Sequence, residues 1–227
     1  MLVDVIILTN SNTEKAIRMT KRTMHTLHDS ETEHKFNIHL VESGPDATNE
    51  YRGLTANYIK PNEPFNYNKF INHALDYLQG EWVVISNNDV GYEREWFSEM
   101  MKIHEKRPDL QSLSPRDPLF YMKYYDWHFI DSVDDYYESY LVSEAVMGWC
   151  VVIKRTALEK IVPFDETFDM YYQDNDYAKT IESKGIKHAL VRYSLATHLN
   201  TATVVRLDKA KIQKMEADQI KFENKWK

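Results

Sequence analysis

Three places in the chain carry side chains whose types and spacing could do chemistry. The first is Asn87-Asn88-Asp89, directly after the apolar run Trp82-Val83-Val84-Ile85-Ser86. A carboxylate at the end of a buried strand is placed to bind a hard cation, which takes oxygen ligands and bridges to phosphates. The same residues also read as a turn, because Asn and Asp hydrogen-bond their own backbone. The second is Gln173-Asp174-Asn175-Asp176, at the start of a helical pattern. One of its carboxylates can cap the helix or complement its dipole. The other can project, and an ionised Asp accepts a proton from an attacking hydroxyl as a general base. The third is His198, in Ala196-Thr197-His198-Leu199-Asn200. A lone histidine is commonly structural or exposed, yet neutral imidazole also ligates ions such as Mn²⁺ beside carboxylates.

The elements that must position these residues follow from periodicity. Residues 3–9 read as a strand, and Ala16, Ile17, Thr20, Met24 and Leu27 mark one face of a helix. Phe36 to Glu42 reads as a second strand, stopped by Ser43-Gly44-Pro45-Asp46. Ile71, Ala74, Leu75 and Leu78 form a helical stripe closed by Gly80, and Trp82 to Ser86 is a third strand. Strand, helix, strand, helix, strand predicts an α/β fold with a Rossmann-like, mostly parallel sheet and helices on both faces. Ligands of such sheets sit beyond the carboxyl ends of the strands. Thr9-Asn10, Glu42-Ser43 and Asn87-Asn88-Asp89 stand there.

Downstream, a helix is expected over 93–105, a strand over 147–153 and a short helix over 155–161. A helix over 174–183 is ended by Gly185, and a last strand over 187–192 leaves His198 in the loop after it. Phe120 to Tyr140 is rich in Tyr, Trp, Phe and Asp, and its rings can stack on sugars or bases or pack a peripheral helix. The tail from Asp208 is helical in pattern. Its Lys209, Lys211, Lys214, Lys221, Lys225 and Lys227 read as a solvated face. The expected organisation is one domain over 1–227. It divides into a first half over 1–115, a second half over 116–205 and a C-terminal helix over 206–227.

At 227 residues, the chain is long enough to bury a core without staples. A net charge of −7 advertises no general grip on nucleic acid, though a local basic groove would escape that count. The single cysteine, Cys150, forms no intramolecular disulfide, so nothing points to secretion. The apolar start is interrupted by Asp4 and too short for a membrane span, which makes the cytoplasm the expected address.

The order of these motifs resembles the family 2, GT-A-type glycosyltransferases. Members commonly carry an asparagine, then Gly-Glu-aromatic, then an apolar strand ending in an Asp-x-Asp-like motif. Asn72, Gly80-Glu81-Trp82 and Asn87-Asn88-Asp89 follow that order at similar spacing. Later come Gly148-Trp149 with an apolar strand and a basic residue, then Pro163-Phe164-Asp165-Glu166, Gln173-Asp174-Asn175-Asp176 and His198. The resemblance spans roughly residues 3–200. It implies a GT-A fold, with 1–115 as the nucleotide-sugar-binding half and 116–205 as the acceptor and catalytic half, and inverting transfer of a sugar from a UDP-sugar to an acceptor hydroxyl. Thr9, Asn10, Glu42, Asn72, Asn87 and Asn88 would serve the nucleotide-sugar. Asp89 and His198 would hold a divalent metal, Mn or Mg, and Asp174 would be the base. Gly148, Trp149 and Asp176 would lie on the acceptor side.

Two departures bear on this. Asp-x-Asp is reduced to Asn-x-Asp, so Asn87 supplies no charge, and Gln173 replaces an acid. The family's uracil-contacting Asp looks like Glu42 here. The acceptor is either a saccharide or, as in compact phage members acting in the host cytoplasm, hydroxymethylcytosine in DNA. A non-catalytic nucleotide-sugar-binding protein is the competing reading. A sugar nucleotidyltransferase ranks last, because Asn10-Ser11-Asn12-Thr13 lacks the Gly-rich loop that such enzymes carry.

Overall fold

A computed structural model describes residues 1–119, 135–168, 170–199 and 209–227. Among these, one nine-stranded sheet runs β3-β2-β1-β4-β8-β6-β9-β5, with β7 also on β9. The strands are β1 (Leu2–Thr9), β2 (Lys35–Glu42), β3 (Asn57–Ile59), β4 (Trp82–Asn87), β5 (Val90–Tyr92), β6 (Leu110–Arg116), β7 (Tyr136–Glu138), β8 (Cys150–Lys154) and β9 (Lys187–His198). β3, β2, β1 and β4 are parallel; the alternating pattern predicts this for β1, β2 and β4, and the short β3 is an addition to it. β8 then inserts antiparallel between β4 and β6.

Each face of the sheet has its own core. Val3, Val5 and Ile7 of β1 and Trp82 and Val84 of β4 pack with Met24 and Leu27 of α1 (Glu14–Asp29) and with Trp96, Phe97 and Met100 of α3 (Trp96–Lys106). Ile6, Val83 and Ile85 face the other way. They meet Phe70 and Ile71 of α2 (Tyr67–Asn72), Ala157 of α4 (Arg155–Leu158) and Tyr177 and Ile181 of α5 (Gln173–Ser183). A strand covered on both faces has no polar side, which is why β4 reads as an unbroken apolar run.

Several boundaries depart from expectation. The stripe from Ile71 to Leu78 is two pieces, α2 and a short 3₁₀ turn over Leu75–Tyr77. The backbone N–H groups of Gln79 and Gly80 leave the helical path to donate to buried Asp4 Oδ2, each at 2.5 Å. Gly80 is required for close approach: a Cβ there would sit 2.7 Å from the Leu2 carbonyl oxygen. The helix expected from 93 begins at Trp96, after Glu95 with φ of 60°. The strand expected over 147–153 is β8, displaced toward the C-terminus.

The last strand is twice as long as expected, and this matters most for the site. β9 pairs with β6 up to Pro115↔Val191, skips three residues, and resumes at Arg116↔Leu195. The bulge re-aims the strand, which then pairs with β5 through Val90↔His198. His198 therefore ends a strand and does not lie in a free loop. The C-terminal helix α6 (Lys209–Lys225) was expected, but its lysines are not all solvated. Lys221 donates to the Thr167 carbonyl and to Asp218, and Lys225 to Asp165 and Asp176. Most of the aromatic stretch Phe120–Tyr140 lies outside the described residues. No helix among those described is long and apolar enough to cross a membrane.

Candidate active site

Asn88 and Asp89 form the turn between β4 and β5, so the turn reading of this motif holds. It does not displace the other reading. Asp89 is 6 % exposed, and its Oδ1 lies 3.0 Å from His198 Nε2. The same imidazole nitrogen is 3.4 Å from the Asn87 side-chain amide. The bulged β9 brings the partners together, and the Leu199 N–H to Asp89 carbonyl bond, 2.7 Å, locks the ends. Trp149 stacks on the His198 ring with planes 10° apart, while its carbonyl accepts from the Asn87 N–H. Asp117, which drew no attention in the sequence, is buried and accepts from the His198 backbone N–H at 3.1 Å. Only its place before Pro118 hinted at a turn.

A carboxylate, an imidazole and a side-chain amide thus converge, supplying oxygen and nitrogen donors suited to a divalent first-row ion or Mg²⁺. Among the described residues no group of three or more His, Cys, Asp and Glu side chains is positioned for a metal. The donor set fits a metal only if other ligands, such as phosphate oxygens, complete it.

Adjacent to Trp149, Gly148 touches Asp174. A Cβ at Gly148 would fall 2.7 Å from Asp174 Oδ2, so only glycine admits the carboxylate there. Asp174 stands in the first turn of α5, with Oδ1 accepting from the Asn175 N–H at 2.9 Å. Desolvation by the surrounding protein raises its pKa above the ordinary 3.8, outweighing the backbone N–H bonds that lower it. The phenol of Tyr67 is also pushed up, first by burial and then by the charge of Asp174.

At the ends of β1 and β2, Glu42 is fully buried. Its Oε1 accepts from the Ser11 N–H at 3.0 Å and the Gly44 N–H at 2.6 Å. Its Oε2 has no hydrogen-bond partner among the described residues. A buried acceptor without a donor is costly, and a ligand N–H would satisfy it. Asn10 is exposed beside it, its Oδ1 close to Gly44.

Four expected site residues are engaged elsewhere. The Thr9 hydroxyl bonds Thr20 at 2.8 Å, and the Asn88 amide donates to Thr20 at 2.9 Å, so both fasten α1 to the sheet. Asn72 donates to the Phe164 carbonyl and Glu166 and accepts from the Phe164 N–H, which makes it a clamp on the 164–168 segment. Asp176, expected on the acceptor side, is 5 % exposed and accepts from Trp226 Nε1 at 2.7 Å and from Lys225. Its carboxylate is occupied inside the protein. A cavity of about 280 Å³ beside Asp176, Lys225 and Trp226 shares no lining residue with the Asp89–His198 pair.

No family model matches the sequence, and no curated protein matches it. Solved structures do match. A structure of GalNAc-T7 with UDP, GalNAc and Mn²⁺ aligns at a TM-score of 0.68 and 11% identity over 98% of this chain and 50% of that one. The mannosyltransferase PcManGT from Pyrobaculum calidifontis, with GDP-Man and Mn²⁺, aligns at 0.68 and 16% identity over 89% and 58%. The chain spans about half the length of the first and 58% of the second. At such identities the likeness establishes the fold, which is that of the GT-A glycosyltransferases.

Proposed function

We propose that the chain is a metal-dependent glycosyltransferase of the family 2 type, moving a sugar from a UDP-sugar to an acceptor hydroxyl with inversion. One observation carries this reading. The dipeptide Gly148-Trp149 touches both chemical groups: Gly148 receives Asp174, and Trp149 stacks on His198, which faces Asp89. The residues read as base and as cation ligands are thereby joined across one short segment. Both solved structures named above hold Mn²⁺, and one holds UDP. The orphan Glu42 Oε2 suits a nucleobase N–H, with Asn10 beside it.

Asp89 and His198, with Asn87, would hold Mn²⁺ or Mg²⁺, and the ion would supply charge neutralisation for the departing diphosphate. The chain's own residues do the rest. Asp174 takes the proton of the acceptor hydroxyl as that oxygen attacks the anomeric carbon. The loops after β1 and β2 hold the nucleotide, and fixed geometry between donor and acceptor supplies much of the acceleration. The acceptor favoured by the net charge is a saccharide, with hydroxymethylcytosine DNA as the other candidate.

The test is release of nucleoside diphosphate from UDP-sugars with Mn²⁺ or Mg²⁺ across an acceptor panel. Turnover should vanish with chelator and fall steeply in Asp89→Ala. Metal-independent turnover that survives Asp89→Ala would overturn the reading. Donor binding without turnover under every acceptor would instead favour a binding protein.

A further inference from the structure

We infer that the C-terminal helix α6 is a positioning element of the active site, gripping both flanks of Asp174. This rests on the reading of Asp174 as the base. On the N-terminal flank, Asp218 is fully buried, and its Oδ2 accepts from the backbone N–H groups of Met170 and Tyr171, each at 3.1 Å. Next, Tyr172 adopts φ of 64°, a left-handed conformation that is unfavourable for a bulky residue and persists only when its surroundings impose it. Its ring lies against Phe222 of α6, with centroids 5.5 Å apart. On the C-terminal flank, Lys225 and Trp226 hold Asp176. Asp174 stands between these two grips.

The stretch just before this segment, 164–168, is held by α2 and its N-cap Asn66. Asn66 donates to the carbonyls of Glu166 and Phe168, Asn68 to that of Asp165, and Asn72 brackets Phe164. The chain leading to the base is therefore held by two elements in turn, α2 and then α6. A helix whose task was only to cover apolar surface would have no need of a buried carboxylate on two backbone N–H groups. Asp218 and Asp176 set the backbone on either side of a residue whose placement relative to the acceptor hydroxyl must be held to a fraction of an ångström.

The experiment compares Asp218→Ala, Asp218→Asn and Trp226→Phe in the full chain. Backbone amide exchange should rise at residues 170–177 in Asp218→Ala and leave β1 and β4 unchanged. Turnover should fall at least ten-fold while UDP-sugar affinity stays within two-fold. Asp218→Asn, which keeps an oxygen for both N–H groups, should recover most of the loss. Trp226→Phe removes the Nε1–H bond to Asp176 while keeping a ring beside Lys225, and gives a milder version if Asp218→Ala fails to fold. Unchanged exchange at 170–177 in both Asp218→Ala and Trp226→Phe overturns the inference, as does full turnover in a variant that exchanges faster there. If the wild-type chain shows no turnover at all, the glycosyltransferase reading fails, and the exchange pattern alone decides whether α6 grips the segment.

Discussion

At the scale of single residues, the proposed base, Asp174, would couple catalysis to stability with opposite signs. Its carboxylate is desolvated, with no countercharge beside it among the described residues, so its folded-state pKa lies above the unfolded value. A raised carboxylate pKa favours the fold fully below the unfolded value and loses that contribution as pH rises through the folded one. Near neutral pH the ionised form is therefore a burden on the fold. Asp174→Asn should melt at a higher temperature than the wild type near neutral pH, and the gain should shrink toward pH ~4. Transfer should fall about 10²- to 10⁴-fold, the usual contribution of a general base. The wild-type turnover profile should lose activity on its acid side above the ordinary carboxylate range, because the base must be ionised. Thermal melts at the two pH values and a pH–rate profile check all three outcomes. A lower melting temperature for Asp174→Asn near neutral pH would show that its charge is solvated or paired.

At the scale of elements, Gly148 and Asp4 mark where local chemistry fixes packing. Gly148→Ala places a methyl group inside van der Waals contact with Asp174, so α5 or the 147–149 segment must shift. Since ~1 Å of misplacement can cost about 100-fold, turnover should drop by one to two orders of magnitude with donor affinity nearly unchanged, measured by steady-state kinetics and calorimetry. Asp4 lies buried in β1. Burial alone would raise its pKa, yet bonds from His39, Gly80, Asn37 and Gln79 outweigh this and lower it. That contribution to stability is present above the unfolded carboxylate value and is lost as pH falls through the folded one. Asp4→Ala should cost about 3–5 kcal/mol in urea unfolding, the range for breaking a buried charged network. The parallel half of the sheet was legible because its period and turn residues agree. Asp89 and His198 were named from motif order, but their meeting depends on the β9 bulge, and no periodicity shows a bulge. The Asn72 clamp and the occupied Asp176 carboxylate were hidden for the same reason: their partners, Phe164 and Trp226, are distant in sequence and are set only by packing.

At the scale of the whole molecule, charge discriminates between the acceptors of the proposed reaction. DNA binding by phosphate contacts weakens steeply with salt, by about 10³- to 10⁵-fold between 50 and 200 mM for six to ten contacts. A chain of net charge −7 has to gather its cations locally to work on DNA. Several basic side chains are already committed to acids: Arg107 to Asp109 and Glu138, Lys187 to Asp109, and Lys225 to Asp165 and Asp176. A neutral saccharide needs none of them, since it is recognised by hydrogen bonds and ring stacking. Transfer to a saccharide acceptor should therefore change less than about two-fold in kcat/KM over that salt range, because little exposed charge is neutralised on binding. The assay is a salt titration of kcat/KM with the best saccharide beside hydroxymethylcytosine duplex and single strands. A steep salt slope, with DNA the preferred acceptor, would mean that a basic groove offsets the net charge and that DNA is the substrate.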